Sequence, residues 1–267
     1  MNRIIQKMRW QVLCGFVAVI YIFMLSPILV VCIEAFNDGE LMQFPPKQWS
    51  LRWFYAFFEH QDFLTSFRIS VILGLAAALI STVVGTAAAY GLVRYRARHQ
   101  AGIETLLLAP LYFPKVLIGL SLLLGLSAIR LTGTFGGMLM AHVLITLPYV
   151  VRTVSVSLHG VNPAVEEAAR SLGATPVQSF MRVTLPLVRS GLVAGAIFAF
   201  IISFSDVYLA LFISGPQTVT LPLRMFHFME WEQSPIVAAV SVVQMMLILL
   251  LLVVAEKSVG FLKSGRL

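Results

Sequence analysis

The chain has 267 residues, of which 59% are apolar and 12% are charged. A soluble domain averages about 45–50% apolar and about 25% charged residues, so this composition excludes an ordinary soluble domain and predicts a protein solvated mainly by membrane lipid. The net charge of +7 does not indicate nucleic-acid binding, because the basic residues alternate with apolar segments, as membrane orientation signals do.

Six apolar segments are long enough to cross a hydrocarbon core about 30 Å thick, which takes about 20 helical residues. They lie near 11–35, 69–93, 104–129, 135–156, 190–214 and 236–255. The first segment is longer than the apolar core of a secretory signal and lacks a clear cleavage site, so we expect it to remain as a spanning helix. The sequence therefore predicts an all-α, polytopic membrane protein with six transmembrane helices in one domain over 1–267.

Basic residues are concentrated on one side of this six-span arrangement. The opposite loops, near 36–68, 130–134 and 215–235, hold only five of the 19 basic residues, alongside six of the 12 acidic ones. The positive-inside rule therefore predicts that both termini are cytoplasmic. The basic residues on the predicted cytoplasmic side are Arg3, Lys7, Arg9, Arg94, Arg96, Arg98, Arg152, Arg170, Arg182, Arg189, Lys257, Lys263 and Arg266.

Two spans carry local signals of close packing and bending. The second span presents small residues at close to four-residue spacing: Gly74, Ala78, Ser81, Gly85 and Ala89. Such a face lets helix backbones approach closely, either in a translocation core or in ordinary bundle packing. Pro110 and Pro114 in the third span predict a bend. Lys115 beside them could pair with an acidic group in the bundle or extend to the interface.

The connection over 158–189, on the predicted cytoplasmic side, reads as two short helices joined by a sharp elbow. Each helix has a capping residue followed by proline at its first position, and a glycine suited to a left-handed turn separates them. Glu166 and Glu167 fall near the start of the first helix, where the helix dipole favours negative charge. The residues that set the boundaries are Asn162, Pro163, Gly173, Thr175 and Pro176.

This connection resembles the "EAA" pattern of binding-protein-dependent ABC importer permeases. The matching residues are Glu167, Ala168, Ala169, Gly173, Val183, Leu185 and Pro186, with Val183 where the pattern usually has isoleucine. The resemblance implies a type I ABC importer permease fold. It also implies that these residues, together with Glu166, form a coupling helix that docks on a separate ATPase.

The same resemblance implies a set of partners in the bacterial inner membrane. They are a second permease subunit, expected to be a different chain, two copies of an ABC ATPase, and a periplasmic solute-binding protein. ATP and Mg²⁺ would be bound by the ATPase. The sequence fits this division because it contains no G-x-x-x-x-G-K-[ST] phosphate loop, so we expect a transport subunit rather than an enzyme.

Other segments are similar to spermidine/putrescine-type permeases. They are the runs Phe44–Phe54, Ile202–Asp206, Ser214–Pro216 and Leu221–Phe226. This similarity implies translocation of a small organic solute such as a polyamine by alternating access. Related permeases for aminoethylphosphonate, opines or amino-acid derivatives share the layout and remain alternatives. A further alternative is an ion-coupled secondary transporter, which would be expected to show inverted repeats and paired intramembrane ionisable groups.

Candidate substrate contacts lie on the fifth span and on the last outer loop. On a continuous helix Asp206 would lie on a small, partly polar face, and Phe204 and Tyr208 on an aromatic stripe. Asp206 is interpreted as an acidic pathway residue for an organic cation or as a packing carboxylate. Glu230 and Trp231 are expected to line the entrance, to meet the binding protein or to form a solvated loop. The histidines show no ligand spacing, so no metal site is expected.

Overall fold

The computed structural model of the chain describes residues 2–95, 99–232 and 234–259. Across these residues the regular elements are helices, and extended pairing is limited to an isolated bridge between Asn37 and Trp49. The all-α prediction is confirmed. Four of the basic residues used to predict orientation lie outside the described residues, namely Arg96, Arg98, Lys263 and Arg266.

Four helices are long and apolar enough to cross a membrane. They are α1 (Asn2–Glu34), α3 (Gln61–Arg94), α6 (Phe135–His159) and α13 (Ile236–Val259). Two bent helix pairs raise the number of candidate spans to as many as six, by length and composition. Packing divides the chain into two compact units, Met1–Gln61 with Phe228–Leu247 and Asp62–His227 with Ile248–Leu267. The assignment of one domain to the whole chain stays a prediction.

The third predicted span, near 104–129, is not one continuous helix. It consists of α4 (Gln100–Leu108) with a 3-10 turn at Ala109–Leu111, and then α5 (Lys115–Ala128), with a bend of 102° between them. Pro114 precedes α5 in an extended conformation with ψ of 128°. Proline has no amide hydrogen to continue the preceding helix and is well suited to begin a new one, so the predicted bend becomes a break.

The fifth predicted span, near 190–214, is also interrupted. Helix α10 (Arg189–Phe204) ends before residues 205–207, and a short helix, α11 (Tyr208–Ile213), follows. A 74° bend precedes α10, between Pro176–Leu187 and Arg189–Phe204. The continuous helix assumed for placing Asp206 on a face is therefore wrong, because Asp206 lies in the break between α10 and α11.

The connection between α6 and α10 is helical over most of its length. Its elements are α7 (Pro163–Ser171), α8 (Pro176–Ser179), a π-helical turn over Phe180–Thr184, and α9 (Leu185–Leu187). A π-turn contains one more residue per hydrogen-bonded loop than an α-helix and often marks a functional or strained segment. The predicted pair of helices is thus present and runs through this turn towards α10.

The small-residue face of α3 packs closely against its neighbours, as predicted. A Cβ atom added at Gly74 would lie 3.0 Å from the ring of Phe200, and one at Gly85 would lie 2.9 Å from the side chain of Val150. Phe200 belongs to α10 and Val150 to α6. Glycine at these two positions therefore lets α3 approach both helices within this unit.

A second packing centre in the same unit joins α3, α5, α6 and α11 to α12 (Leu221–Trp231). A Cβ atom added at Gly119 of α5 would lie 2.6 Å from the ring of Phe212, which shows how closely α5 and α11 approach. The buried residues of this cluster are Leu73, Leu126, Met138, Ala141, Ile145, Leu209, Ala210, Ile213 and Leu223.

The other unit is smaller and contains α2 (Arg52–Glu59). One of its buried clusters is formed by Ala35, Ala238 and Ala239, with larger side chains around them. The rings of Phe36 and Phe54 lie 5.2 Å apart between centroids, a distance at which aromatic pairs attract. The end of α1 and the start of α2 are therefore joined by aromatic packing.

Candidate functional site

The helical elbow between α6 and α10 is the first candidate site, and local signals define its first helix. The Asn162 side chain accepts a hydrogen bond of 3.0 Å from the amide of Ala164, and Pro163 occupies the first helical position. Both features satisfy or remove amide donors that an unfinished helix start leaves unpaired. The predicted start of this helix is confirmed.

Gly173 ends the same helix in the left-handed conformation, with φ of +93°. Its amide donates to the carbonyl of Arg170 at 3.0 Å, and the amide of Ala174 donates to that of Ala169 at 3.1 Å. This pair of bonds is a Schellman motif, in which glycine is favoured because a Cβ atom opposes positive φ. The predicted left-handed ending is confirmed.

The second helix of the elbow begins with a complete capping box. The hydroxyl of Thr175 accepts from the amide of Gln178 at 3.2 Å, and the Gln178 side chain accepts from the amide of Thr175 at 3.0 Å. Pro176 occupies the first helical position. Because both capping interactions and the proline act locally, the turn between the two helices is held by the sequence of the elbow itself.

Glu166 attaches the elbow to the end of α3. Its carboxylate accepts from Nε of Arg94 at 2.8 Å and from the hydroxyl of Tyr90 at 3.0 Å. Arg94 also donates to the carbonyl of Val161 at 3.0 Å, and the two charged side chains are only 10% and 11% exposed. Sequence reasoning placed Glu166 at the helix start but missed these partners, since no spacing rule links residues so far apart.

The opposite face of the elbow is exposed. Glu167 and Ala168 lie on it, and Leu172 is 90% exposed at its end. Glu167 has no ion-pair partner among the described residues. A groove of about 480 Å³ beside this face is lined by Glu167, Arg170, Ser171, Ala174 and Pro176. An exposed acid and an exposed leucine on a firmly capped helix form a surface suited to contact with another protein.

The rest of the motif lies at the far side of the elbow. Val183 is half-buried in the π-helical turn, while Leu185 is half-buried and Pro186 exposed in α9. The ring of Phe180, in the same turn, lies 4.7 Å from that of Tyr90 between centroids. Tyr90 therefore contacts the elbow twice, through Glu166 and through this aromatic pair.

Asp206 defines the second candidate site, at the break between α10 and α11. Its Oδ1 lies 3.0 Å from Nζ of Lys115, and its Oδ2 accepts from the amide of Leu209 at 2.8 Å. The Asp206 side chain is fully buried, whereas that of Lys115 is 36% exposed. Of the two alternatives for Lys115, pairing with an acidic group is the one present.

Buried polar groups continue from this site into the helices around it. Nδ1 of His142 lies 2.7 Å from the hydroxyl of Ser203, and the hydroxyl of Ser81 lies 2.7 Å from that of Thr146. Thr146 in turn donates to the carbonyl of His142 at 2.7 Å. These side chains link α3, α6 and α10 through hydrogen bonds, which a buried polar group requires.

The other predicted pathway residues differ in how exposed they are. Phe204 is buried and stacks on Phe200 with 5.2 Å between ring centroids, and Tyr208 is 51% exposed. Glu230 is exposed, and Trp231, 87% exposed, lines a cavity of about 610 Å³ in the smaller unit. In the part of the chain that the structure describes, no group of three or more His, Cys, Asp or Glu side chains is arranged to hold a metal ion. The roles suggested for these residues stay predictions.

Apolar spans, broken helices and a capped helical elbow give this chain the architecture of a membrane permease subunit. Residues 70–259 match the family described as "Binding-protein-dependent transport system inner membrane component". The chain belongs to this family, which is a family of multi-pass membrane components of transport systems rather than of enzymes.

Proteins similar to this chain include polyamine permeases. The putrescine transport system permease protein PotI of Escherichia coli strain K12 is 33% identical over 232 residues, covering 84% of this chain and 82% of the relative. The spermidine/putrescine transport system permease protein PotC of Haemophilus influenzae is 30% identical over 231 residues, covering 86% and 90%. The resemblance to spermidine/putrescine-type permeases is confirmed.

Solved structures share the fold at lower identity. A chain of a bacterial ABC transporter involved in the import of the acidic polysaccharide alginate matches with a TM-score of 0.73 at 15% identity, covering 94% of this chain and 96% of that chain. A chain of the MetNI methionine ABC transporter matches with a TM-score of 0.62 at 18% identity, covering 75% and 98%. The expected type I ABC importer permease fold is confirmed.

Proposed function

We propose that this chain is the permease subunit of an ATP-binding cassette importer that carries a polyamine, such as spermidine or putrescine, across the bacterial inner membrane. It forms one half of a transmembrane pair with a second, different permease chain. Two ATPase subunits bind ATP and Mg²⁺ on the cytoplasmic side, where both termini of this chain also lie. A periplasmic solute-binding protein delivers the solute, and this chain has no ATPase site of its own.

The observation that carries the proposal is the exposed face of a rigidly capped elbow. Glu166 turns inward to Arg94 and Tyr90, while its neighbour Glu167 and the end residue Leu172 face outward. A helix fixed on one side and open on the other can transmit movement of a docked protein to α3. We infer that the ATPase docks here and that ATP binding biases the spans between inward-facing and outward-facing states.

The choice of a cationic solute rests on Asp206 and on the polyamine permeases to which the chain is similar. The buried carboxylate of Asp206 needs a cation beside it in an apolar protein, and Lys115 supplies one at 3.0 Å. Polyamines present primary ammonium groups, the same chemical group that Lys115 brings to Asp206. Aromatic rings also attract cations, and Tyr208, two residues after Asp206, is half-exposed.

Reconstitution with the ATPase, the second permease and the binding protein tests the proposal. We expect ATP-dependent, vanadate-sensitive uptake of radiolabelled putrescine or spermidine, and no hydrolysis by this chain alone. Glu167→Lys should reduce ATPase co-purification by about tenfold or more, because it reverses a charge at the docking face. Uptake driven by an ion gradient without ATP would instead indicate a secondary transporter.

One observation favours a second class of solute. A cavity of about 1050 Å³ between α6 and α10 has two arginines, Arg152 and Arg189, among its lining residues, together with Tyr149, Thr153 and Ser157. None of its described lining residues is acidic. Such a lining suits a phosphonate or carboxylate, as in aminoethylphosphonate, opines or amino-acid derivatives. Competition of these compounds against putrescine in the same uptake assay distinguishes the two classes.

A further inference from the structure

Lys115 and Asp206 meet where two helices are interrupted. Lys115 is the first residue of α5, directly after the break at Pro114, and Asp206 lies in the break between α10 and α11. Their charged atoms are 3.0 Å apart. The ion pair therefore connects the break in the third predicted span with the break in the fifth.

The two partners of this pair are unequal. Asp206 is fixed, because its side chain is fully buried and its second oxygen accepts from the amide of Leu209 at 2.8 Å. Lys115 is movable, because its side chain is 36% exposed and its ammonium group sits on a flexible four-carbon stem. Among the described residues, Asp206 is the acid with which Lys115 pairs. The ammonium can thus leave towards its exposed side while the carboxylate stays in place.

Packing already holds α5 against α11 without the ion pair. Gly119, four residues after Lys115 and on the same face of α5, lies so close to α11 that an added Cβ atom would be 2.6 Å from Phe212. A buried ion pair gives little net stability compared with apolar side chains, because both charges lose their hydration. A purely structural role therefore leaves the choice of a lysine and an aspartate unexplained.

We propose that Lys115 is a built-in competitor for an alkylammonium site at Asp206. This inference rests on the proposed polyamine function. The primary ammonium of Lys115 pairs with the carboxylate when solute is absent. An ammonium group of the polyamine displaces it during transport. During the exchange an ammonium group always compensates the charge of Asp206. Competition from Lys115 also weakens the binding of the solute, so that the solute can be released.

Competition of this kind lowers the apparent affinity of the site by the fraction of molecules in which the site is free. If Lys115 leaves the site open in about one tenth of the molecules, its removal should tighten alkylammonium binding by about tenfold. The proposal thus predicts a gain of affinity on deleting a charged residue, which a merely structural lysine would not give.

The test measures binding of 1,4-diaminobutane to the complete transporter complex in nanodiscs by calorimetry. Lys115→Met, and Lys115→Gln as a second neutral variant, should bind about tenfold more tightly than the unmodified complex. Asp206→Asn should lose this binding, and the double variant Lys115→Met/Asp206→Asn should behave like Asp206→Asn. Lys257→Met, which removes an exposed lysine at the end of α13, is the matched control and should bind as the unmodified complex does.

Two results would overturn the inference while leaving the polyamine proposal standing. In the first, the lysine variants lose complex yield and thermal stability, and the double variant recovers them, which would make the pair structural. In the second, the variants assemble but bind 1,4-diaminobutane no more tightly than the unmodified complex. If the unmodified complex and all variants fail to bind it, the polyamine proposal fails together with this inference, whereas binding without tightening overturns the inference alone.

Discussion

Nε of Arg94, the last residue of α3, donates to Oε1 of Glu166 at 2.8 Å, although 72 positions separate the two residues in the chain. Both side chains are largely buried, and the Arg94 guanidinium also holds the carbonyl of Val161 at the start of the elbow. The elbow is therefore joined to a span at its first turn. A force applied to the exposed face of α7 would reach α3 through this ion pair.

Arg94→Met should loosen the elbow without preventing membrane insertion. Removal of one partner of a buried ion pair costs about 3–5 kcal/mol, because the remaining charge is left uncompensated. We expect faster hydrogen exchange over Pro163–Ser171 and loss of the solute-dependent part of ATP hydrolysis in the reconstituted transporter. Hydrogen exchange followed by mass spectrometry measures the first effect, and a coupled ATPase assay measures the second.

The matched control for this change is Arg68→Met, which removes an exposed arginine from the same helix. It should leave both measurements unchanged. Arg94→Met combined with Glu166→Leu should recover protection from exchange, because it removes both charges and replaces the ion pair with an apolar contact. Unchanged exchange in the single variant Arg94→Met would show that the capping interactions alone hold the elbow.

The contact between α3 and α6 predicts a second effect, on stability. Gly85→Val places a side chain where a Cβ atom alone would lie 2.9 Å from Val150, so α3 and α6 must separate. Overpacking of this kind costs about 1–3 kcal/mol. We expect a lower melting temperature in detergent. Gly91→Val on the same helix, where no atom lies within 4 Å of an added Cβ, is the control and should melt close to the unmodified protein.

The elbow could be predicted from sequence because its signals are local. Asn162, Gly173 and Thr175 each act within four residues of their own position, so capping rules are sufficient to place them. The small-residue face of α3 was likewise visible as a spacing. The partners of Glu166 were not, because the fold brings Arg94 and Tyr90 to it from a distant segment.

The two helix breaks show that the length of an apolar segment does not predict whether its helix is continuous. At Pro114 the sequence indicates a bend, but the 102° change of direction depends on how α5 packs against α11. The break at 205–207 contains no proline, so nothing in its composition demands an interruption. It is stabilised instead by Asp206, which bonds to the first turn of α11 and to Lys115 on another helix.

The orientation of the chain in the membrane is directly testable. In a version with Cys14 and Cys32 replaced by alanine, cysteines at Gln43 and Gln217 should react with a membrane-impermeant thiol reagent in intact spheroplasts. A cysteine at Gln100 should react only after lysis. Gln43 and Gln217 are exposed, so failure to react would mean that they lie on the cytoplasmic side of the membrane rather than that they are buried. Labelling of position 100 from outside would contradict the positive-inside prediction.

Gly173 provides the sharpest test of the elbow, because its role is confined to the backbone. No atom lies within 4 Å of a Cβ added at this position, so a substitution there meets no steric obstacle from neighbours. Its φ of +93° nevertheless opposes any side chain, at a cost of about 1 kcal/mol for alanine and more for a β-branched residue. Gly173→Val should therefore change the direction of the Schellman turn, whereas Gly173→Asn should largely preserve it.

We expect Gly173→Val to insert normally, because the spans are packed elsewhere, and to lose most ATPase co-purification and solute-stimulated hydrolysis. Gly160→Val is the matched control: it lies just before the elbow at an ordinary φ of −76°, where an added Cβ meets only one carbonyl oxygen at 3.4 Å. Quantitative co-purification from membranes, with hydrolysis measured on the same samples, separates docking from activity. Full co-purification and hydrolysis by Gly173→Val would show that the angle of the elbow does not govern contact with the ATPase.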